Sequence, residues 1–395
     1  MFFGMSAVDI LDMSIQNGKT QMEQYIQDRN TLQPGDGTGT AAALVKNNGD
    51  RQPPMTDKGH PPKDTQEEPI ANLFLPARLC TLRVGDILGF ELYLRQESGN
   101  CVRYILYKGR RTPFSEAKRA FLIENGIKTL YIRQSDGEFY WRYVSENIED
   151  LLTSPEVTVE DKSKIIYEAS SSVVERLFAD PTSRVHIERS QKLVESTVKF
   201  LTQDQWNFHN LVRIFSYDYT LYTHSVNVSA MGIALARQIG IKDPKELIIV
   251  GHGLLLHDIG KSQIAHSIIN KHGMLSSAEM AEIRRHPLHG VELIKLNPRV
   301  DKLSREIILH HHEKLNGSGY PHGLRGTEIP LPTRIAALVD IFDALTTRRP
   351  YRRALRAYSA LRIMRDDMTQ ELDSALFRSL ISILGPRPSK TVVAL

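Results

Sequence analysis

Gly253-Leu254-Leu255-Leu256-His257-Asp258-Ile259-Gly260-Lys261 carries two strong metal-ligand side chains at the end of an apolar helical run. An imidazole and a carboxylate taken into a buried setting cost free energy unless something pairs with them. A divalent cation meets that cost, because carboxylate oxygen and neutral imidazole nitrogen suit iron, manganese or zinc. Gly260 allows close approach, and Lys261 adds a cation at the edge of the site. Taken alone, a lysine there reads as an ordinary surface residue near a helix end, and a single His-Asp pair decides little.

The surrounding sequence adds weight. Eleven of the 14 histidines lie between His224 and His322, a quarter of the chain. Further ligand candidates recur along the following helices: His286 in a His-Pro-Leu-His-Gly step, the pair His311-His312 before Glu313, and Asp340 in Val339-Asp340-Ile341-Phe342-Asp343. His224 precedes them all. A glycine-proline turn, Gly319-Tyr320-Pro321, follows the double histidine; by itself it marks only a loop.

In order and spacing these elements resemble the HD-GYP family, a branch of the HD phosphohydrolases, over roughly Leu201 to Gly385. The likeness includes Arg349-Pro350-Tyr351-Arg352 after Asp343. The resemblance implies that His224, His257, Asp258, His286, His311, His312 and Asp340 are metal ligands, with Asp258 bridging two divalent ions, iron or manganese. His257, Asp258 and Lys261 take the catalytic positions. Lys261, Asp343, Arg349 and Arg352 match positions that contact the substrate's phosphate or guanine groups. The implied activity is hydrolysis of cyclic di-GMP to linear pGpG, with a second cut to GMP left open, and with no serine or cysteine nucleophile. Gly319, Tyr320 and Pro321 form the loop that serves partner binding, including diguanylate cyclase (GGDEF) proteins. Asn316 stands where the family usually has aspartate. In three-metal members a glutamate sits four residues ahead of the position of His224; here that residue is Thr220, which predicts a two-metal site. His289 and His310 match no ligand position and read as supporting or structural, as do His252, His266, His272 and His322.

Three rival readings remain. A nucleoside triphosphate or guanosine alarmone hydrolase of the same superfamily fits the His-Asp pair but not the later loop elements. Another cyclic dinucleotide, such as cyclic GMP-AMP, fits both. A catalytically weak receptor for the dinucleotide would fit better had one ligand been lost, and none of the seven is missing.

The rest of the 395-residue chain frames this region. Residues 1–72 form an N-terminal tail whose stretch from Thr31 to Pro69 has almost nothing to bury and reads as disordered. Residues 73–152 show partly alternating runs at Phe90–Leu94, Tyr104–Tyr107 and Thr129–Arg133 and a helix from Ser115 to Glu124, which predicts a small α+β regulatory domain. A dimerising role for it, giving a homodimer, is a further expectation. Residues 153–200 read as a helical connector, 201–385 as the catalytic domain and 386–395 as a C-terminal tail. The expected fold is therefore mainly α: a helical HD-domain bundle carrying a metal site, preceded by a small α+β domain and a disordered N-terminal segment.

Composition is ordinary for a globular protein, with 41% hydrophobic and 24% charged residues. A net charge of +4, spread over the chain, is too diffuse to predict DNA as a partner. No apolar run approaches the roughly 18 residues of a membrane span. The start shows no secretion signal, and the two cysteines, Cys80 and Cys101, form no disulfide framework. These features predict a cytoplasmic protein with no membrane partner.

Overall fold

In the computed structural model, residues 73–98, 101–204, 206–215, 220–271, 273–348 and 353–385 are described. The two expected tails lie outside the described residues, as do His272, Arg349 and Arg352.

The first part is a four-stranded antiparallel sheet with one helix across it. Strands β1 (Phe74–Arg78), β2 (Leu92–Ser98), β3 (Cys101–Lys108) and β4 (Thr129–Arg133) are ordered β1-β4-β2-β3. β1 pairs with β4 from Phe74 opposite Arg133 to Arg78 opposite Thr129, and β2 with β3 through pairs such as Leu94 and Ile105. Helix α1 (Glu116–Glu124) starts where the Ser115 hydroxyl accepts from the Lys118 amide. β2 begins two residues later than the alternation predicts. Phe90 is buried in the approach to the strand, its ring edge-on to Tyr140 at 5.7 Å.

From there the chain is helical: α2 (Gly137–Glu146), α3 (Ile148–Thr153), α4 (Val159–Ala179), α5 (Arg184–Gln203), α6 (Asn207–Val212), α7 (Leu221–Gln238), α8 (Pro244–Leu256), α9 (Ser277–Ile283), α10 (His286–Ile294), α11 (Lys302–His310), α12 (Leu331–Thr346), α13 (Ala357–Asp367) and α14 (Ser374–Leu384). Side-chain caps open many of them. Asp243, followed by Pro244 at the first helical position, accepts from the Lys245 amide at 3.0 Å, and Asp301 accepts from Leu303 at 2.7 Å.

Residues 153–200, expected as a connector, are part of the bundle itself. Ile165, Ile166, Ala169 and Val173 of α4 and Leu193, Val194 and Val198 of α5 are buried in one core with Leu254 of α8 and Leu338 of α12. Each large aliphatic side chain so buried contributes roughly 1.5–3 kcal/mol. Within that core Ser190 Oγ of α5 lies 3.0 Å from His252 Nε2 of α8. The same core runs on into the small domain through Leu130, Ile132 and Tyr140. Arg78 at the end of β1 completes the junction by pairing with Glu168 of α4 at 2.9 Å. Among the described residues, no helix is long and apolar enough to cross a membrane.

Candidate metal centre

Five helices deliver the seven expected ligands to one buried point. His224 lies in the first turn of α7, His257 and Asp258 directly follow α8, and His286 opens α10. His311 and His312 directly follow α11, and Asp340 sits in the middle of α12. His224, His257, Asp258, His286 and His311 are all at most 1% exposed. Their imidazole and carboxylate atoms form two groups of mutually close donors, Asp258 with His286, His311 and His312, and His224 with His257 and Asp340.

Asp258 stands between the groups and faces both. Its Oδ1 lies 3.2 Å from His286 Nε2 and 3.9 Å from His311 Nε2, while its Oδ2 lies 3.4 Å from His257 Nε2 and 3.6 Å from His224 Nε2. Lys261 Nζ donates to the same Oδ2 at 2.8 Å from the rim. Asp340 Oδ1 lies 3.1 Å from His224 Nε2, and its Oδ2 lies 3.8 Å from His312 Nδ1.

The backbone fixes which imidazole nitrogen faces inward. His257 Nδ1 donates to the Leu254 carbonyl at 2.7 Å, His286 Nδ1 to Ile283 at 2.8 Å and His311 Nδ1 to Ile308 at 2.9 Å. A carbonyl only accepts, so each Nδ1 carries the proton and each Nε2 presents a lone pair. Each acceptor lies in the last turn of its helix, where carbonyls lack an intrahelical partner. His286 and His311 thus point lone pairs at each other across 3.1 Å. His257 Nε2 and Asp258 Oδ1 are buried with no hydrogen-bond partner. Protein interiors avoid such acceptor-on-acceptor packing, and a cation between the donors removes it. The donor set therefore fits divalent metal.

Protonation follows the same logic. Burial pushes the His286 imidazole below its ordinary range, and burial with the neighbouring imidazoles pushes His311 and His312 well below it. Burial works against ionisation of Asp258, but Lys261 and His257 outweigh it and hold the carboxyl well below its usual range. Asp340 is held low in the same way, by His224 against burial. Neutral imidazoles and ionised carboxylates are the forms that bind metal.

Gly260 and Gly319 are fixed by space. A Cβ at Gly260 would lie 1.9 Å from the His286 carbonyl oxygen, so α10 could not come so close to the His-Asp turn. At Gly319 it would meet Glu313 Cα and the His312 oxygen, both at 2.5 Å. The glycine lets the loop fold back on the double histidine, with the Tyr320 ring 4.7 Å from that of His312 and the Arg284 guanidinium over the Tyr320 ring at 5.5 Å. Asn316 Oδ1 accepts from the Ser318 amide at 3.0 Å, so the amide side chain performs the turn.

Asp343 and Thr220 both have partners within the protein. Asp343, expected to contact substrate, is buried behind the cluster, where its Oδ2 accepts from His224 Nδ1 at 2.7 Å and its Oδ1 from Asn227 Nδ2 at 2.8 Å. Both oxygens have partners within the protein, one of them His224. Thr220, compared above with a metal-binding glutamate, is the N-cap of α7, in extended conformation, its hydroxyl accepting from the Thr223 amide. Sequence reasoning passed over Asn227, whose signal is a buried amide one turn after His224. It also gave no role to Glu313, buried, whose carboxylate accepts from the His322, Gly323 and Leu324 amides at 2.7–3.1 Å.

Residues 212–376 match the family described as "HD domain". The chain is 39% identical across 188 residues to a cyclic di-GMP phosphodiesterase of Pseudomonas aeruginosa, covering 47% of this chain and 44% of the relative. It is 38% identical across 168 residues to 3'3'-cGAMP-specific phosphodiesterase 3 of Vibrio cholerae, covering 42% and 36%. The chain thus spans less than half the length of these curated relatives. Among solved structures, an HDG"Y"P protein from Bdellovibrio bacteriovorus superposes with a TM-score of 0.56 at 24% identity, covering 79% of this chain and 99% of that one. That likeness extends the shared fold beyond the HD domain into the preceding helices.

Proposed function

We propose that the region resembling an HD domain hydrolyses a phosphodiester bond of a cyclic dinucleotide, with cyclic di-GMP as substrate and linear pGpG as the main product. The observation that carries the reading is the inward-facing lone pairs of His286 and His311, 3.1 Å apart at the foot of a bridging carboxylate. His286, His311, His312 and Asp258 would hold one divalent ion, and His224, His257, Asp340 and Asp258 a second, iron or manganese by the mixed nitrogen and oxygen set. When bound, such ions make water a nucleophile near neutral pH and neutralise phosphate charge. The chain's own part is to keep the donors unprotonated and pre-aimed, and to supply Lys261 at the rim for a non-bridging phosphate oxygen. Arg349 and Arg352 would add cations to the same phosphate. Thr220 offers no carboxylate and is committed to its cap, which favours two ions over three.

A second reading, hydrolysis of cyclic GMP-AMP, is favoured by the Vibrio cholerae relatives named for that substrate. Binding of a diguanylate cyclase (GGDEF) protein through Gly319, Tyr320 and Pro321, a homodimer through the small domain, and a cytoplasmic setting complete the proposal. The test is turnover of both dinucleotides by protein loaded with Fe(II) or Mn(II). Cyclic di-GMP should be linearised faster, and Asp258→Ala should reduce hydrolysis to background. Wild-type turnover in Asp258→Ala would overturn the assignment.

A further inference from the structure

Outside the seven cluster residues, the described residues bring a third set of imidazole and carboxylate atoms together: His310, Glu313 and His322, within 4.8 Å of one another. His310 ends α11 and is 7% exposed, whereas His322 is exposed on the segment after Pro321. His310 Nε2 lies 2.9 Å from His322 Nδ1. On its other side, His310 Nδ1 is 3.1 Å from Glu306 Oε2, an ion-pair contact without a well-aligned hydrogen bond. Glu313 uses three acceptor positions on the loop amides, and a carboxylate has about four.

We propose that His310, His322 and Glu313 form a peripheral site for a borderline divalent cation of the zinc or nickel kind, distinct from the His-Asp cluster. Two imidazoles and one carboxylate select such an ion over magnesium or calcium, which take oxygen ligands. Without an ion, one imidazole donates a hydrogen bond to the other. Two nitrogens on one zinc, at about 2.0–2.1 Å each, sit slightly wider than 2.9 Å in a tetrahedral site. The exposed His322 can yield that opening. An ion there adds a strong bond between the end of α11 and the chain just after Tyr320-Pro321. The Tyr320 amide already donates to the His312 carbonyl at 3.3 Å, so the site stiffens the wall of the metal centre.

The experiment compares the full chain with His322→Ala and His322→Asn after equilibration with buffered Zn(II) and element analysis. The wild-type protein should hold one zinc per chain more than either variant, and zinc should slow amide exchange at residues 322–324 in the wild type alone. The asparagine variant keeps a polar side chain on the loop, so loss of the ion there cannot come from a collapsed turn. Equal zinc content in all three proteins would overturn the site. An empty His-Asp cluster would lower the count equally in all three and leave the difference between them intact.

Discussion

Asp343 Oδ2 accepts the Nδ1 proton of His224 at 2.7 Å, and Asn227 holds the other carboxylate oxygen at 2.8 Å. The carboxylate therefore aims the inward nitrogen of His224 and raises its basicity, as outer carboxylates do for metal-bound histidines. Asp343→Asn keeps the volume and removes the charge. Metal affinity is expected to fall about 10–100-fold, measured by titration with Mn(II), with KM for dinucleotide unchanged once the site is saturated with metal. A raised KM at full metal loading with unaltered metal affinity would return Asp343 to the substrate.

Removing metal should destabilise the protein. An ion that binds the folded cluster and not the unfolded chain would stabilise the fold, by about 2.7 kcal/mol at 100 times its Kd. Thermal melts with and without chelator should separate by several degrees in the wild type and by much less in Asp258→Ala. Identical melts for chelated and loaded wild-type protein would argue against any bound ion in this cluster.

His252 sets an acid limit on stability that is independent of the metal. Burial pushes its imidazole from the ordinary 6.5 down to about 4. As pH falls, the unfolded chain takes up this proton first, so the stability is complete above 6.5 and is lost on the way to about 4. The component amounts to roughly 3 kcal/mol. His252→Gln, which can still donate to Ser190, should flatten the fall in Tm between those pH values. Chelated wild type and variant should be compared; parallel curves would show that another group sets the limit.

Gly319→Ala tests how tightly the loop lies on the double histidine. The added carbon meets only backbone, at Glu313, His312 and Lys314, within 2.5–2.6 Å. A cost of about 1–3 kcal/mol is expected, with His312 displaced and the metal of its group held less tightly. Unchanged Tm and metal content would mean that the loop can move away freely.

That the seven expected ligands would cluster was readable because histidine and aspartate inside apolar helical text have few other uses, and the strand at Thr129–Arg133 was readable because its burial alternates along the chain. The partners that aim the ligands were not readable. Three are peptide carbonyls, which leave no mark on sequence. The capping role of Thr220 was not readable either, because sequence alone does not say that α7 begins one residue later. Residues 153–200 were read as a connector because a stripe at helical spacing does not say which neighbour covers it.

The locks on the cluster histidines differ in kind. His257, His286 and His311 are held by main-chain oxygens, which no replacement of the side chain at Leu254, Ile283 or Ile308 can delete. His224 is held by a side chain, and one nucleotide change in the Asp343 codon can abolish that hold. The two halves of the centre therefore face unequal genetic hazard. Drift or laboratory evolution should degrade the His224, His257 and Asp340 group first and leave the group around His286 and His311 as the more heritable part.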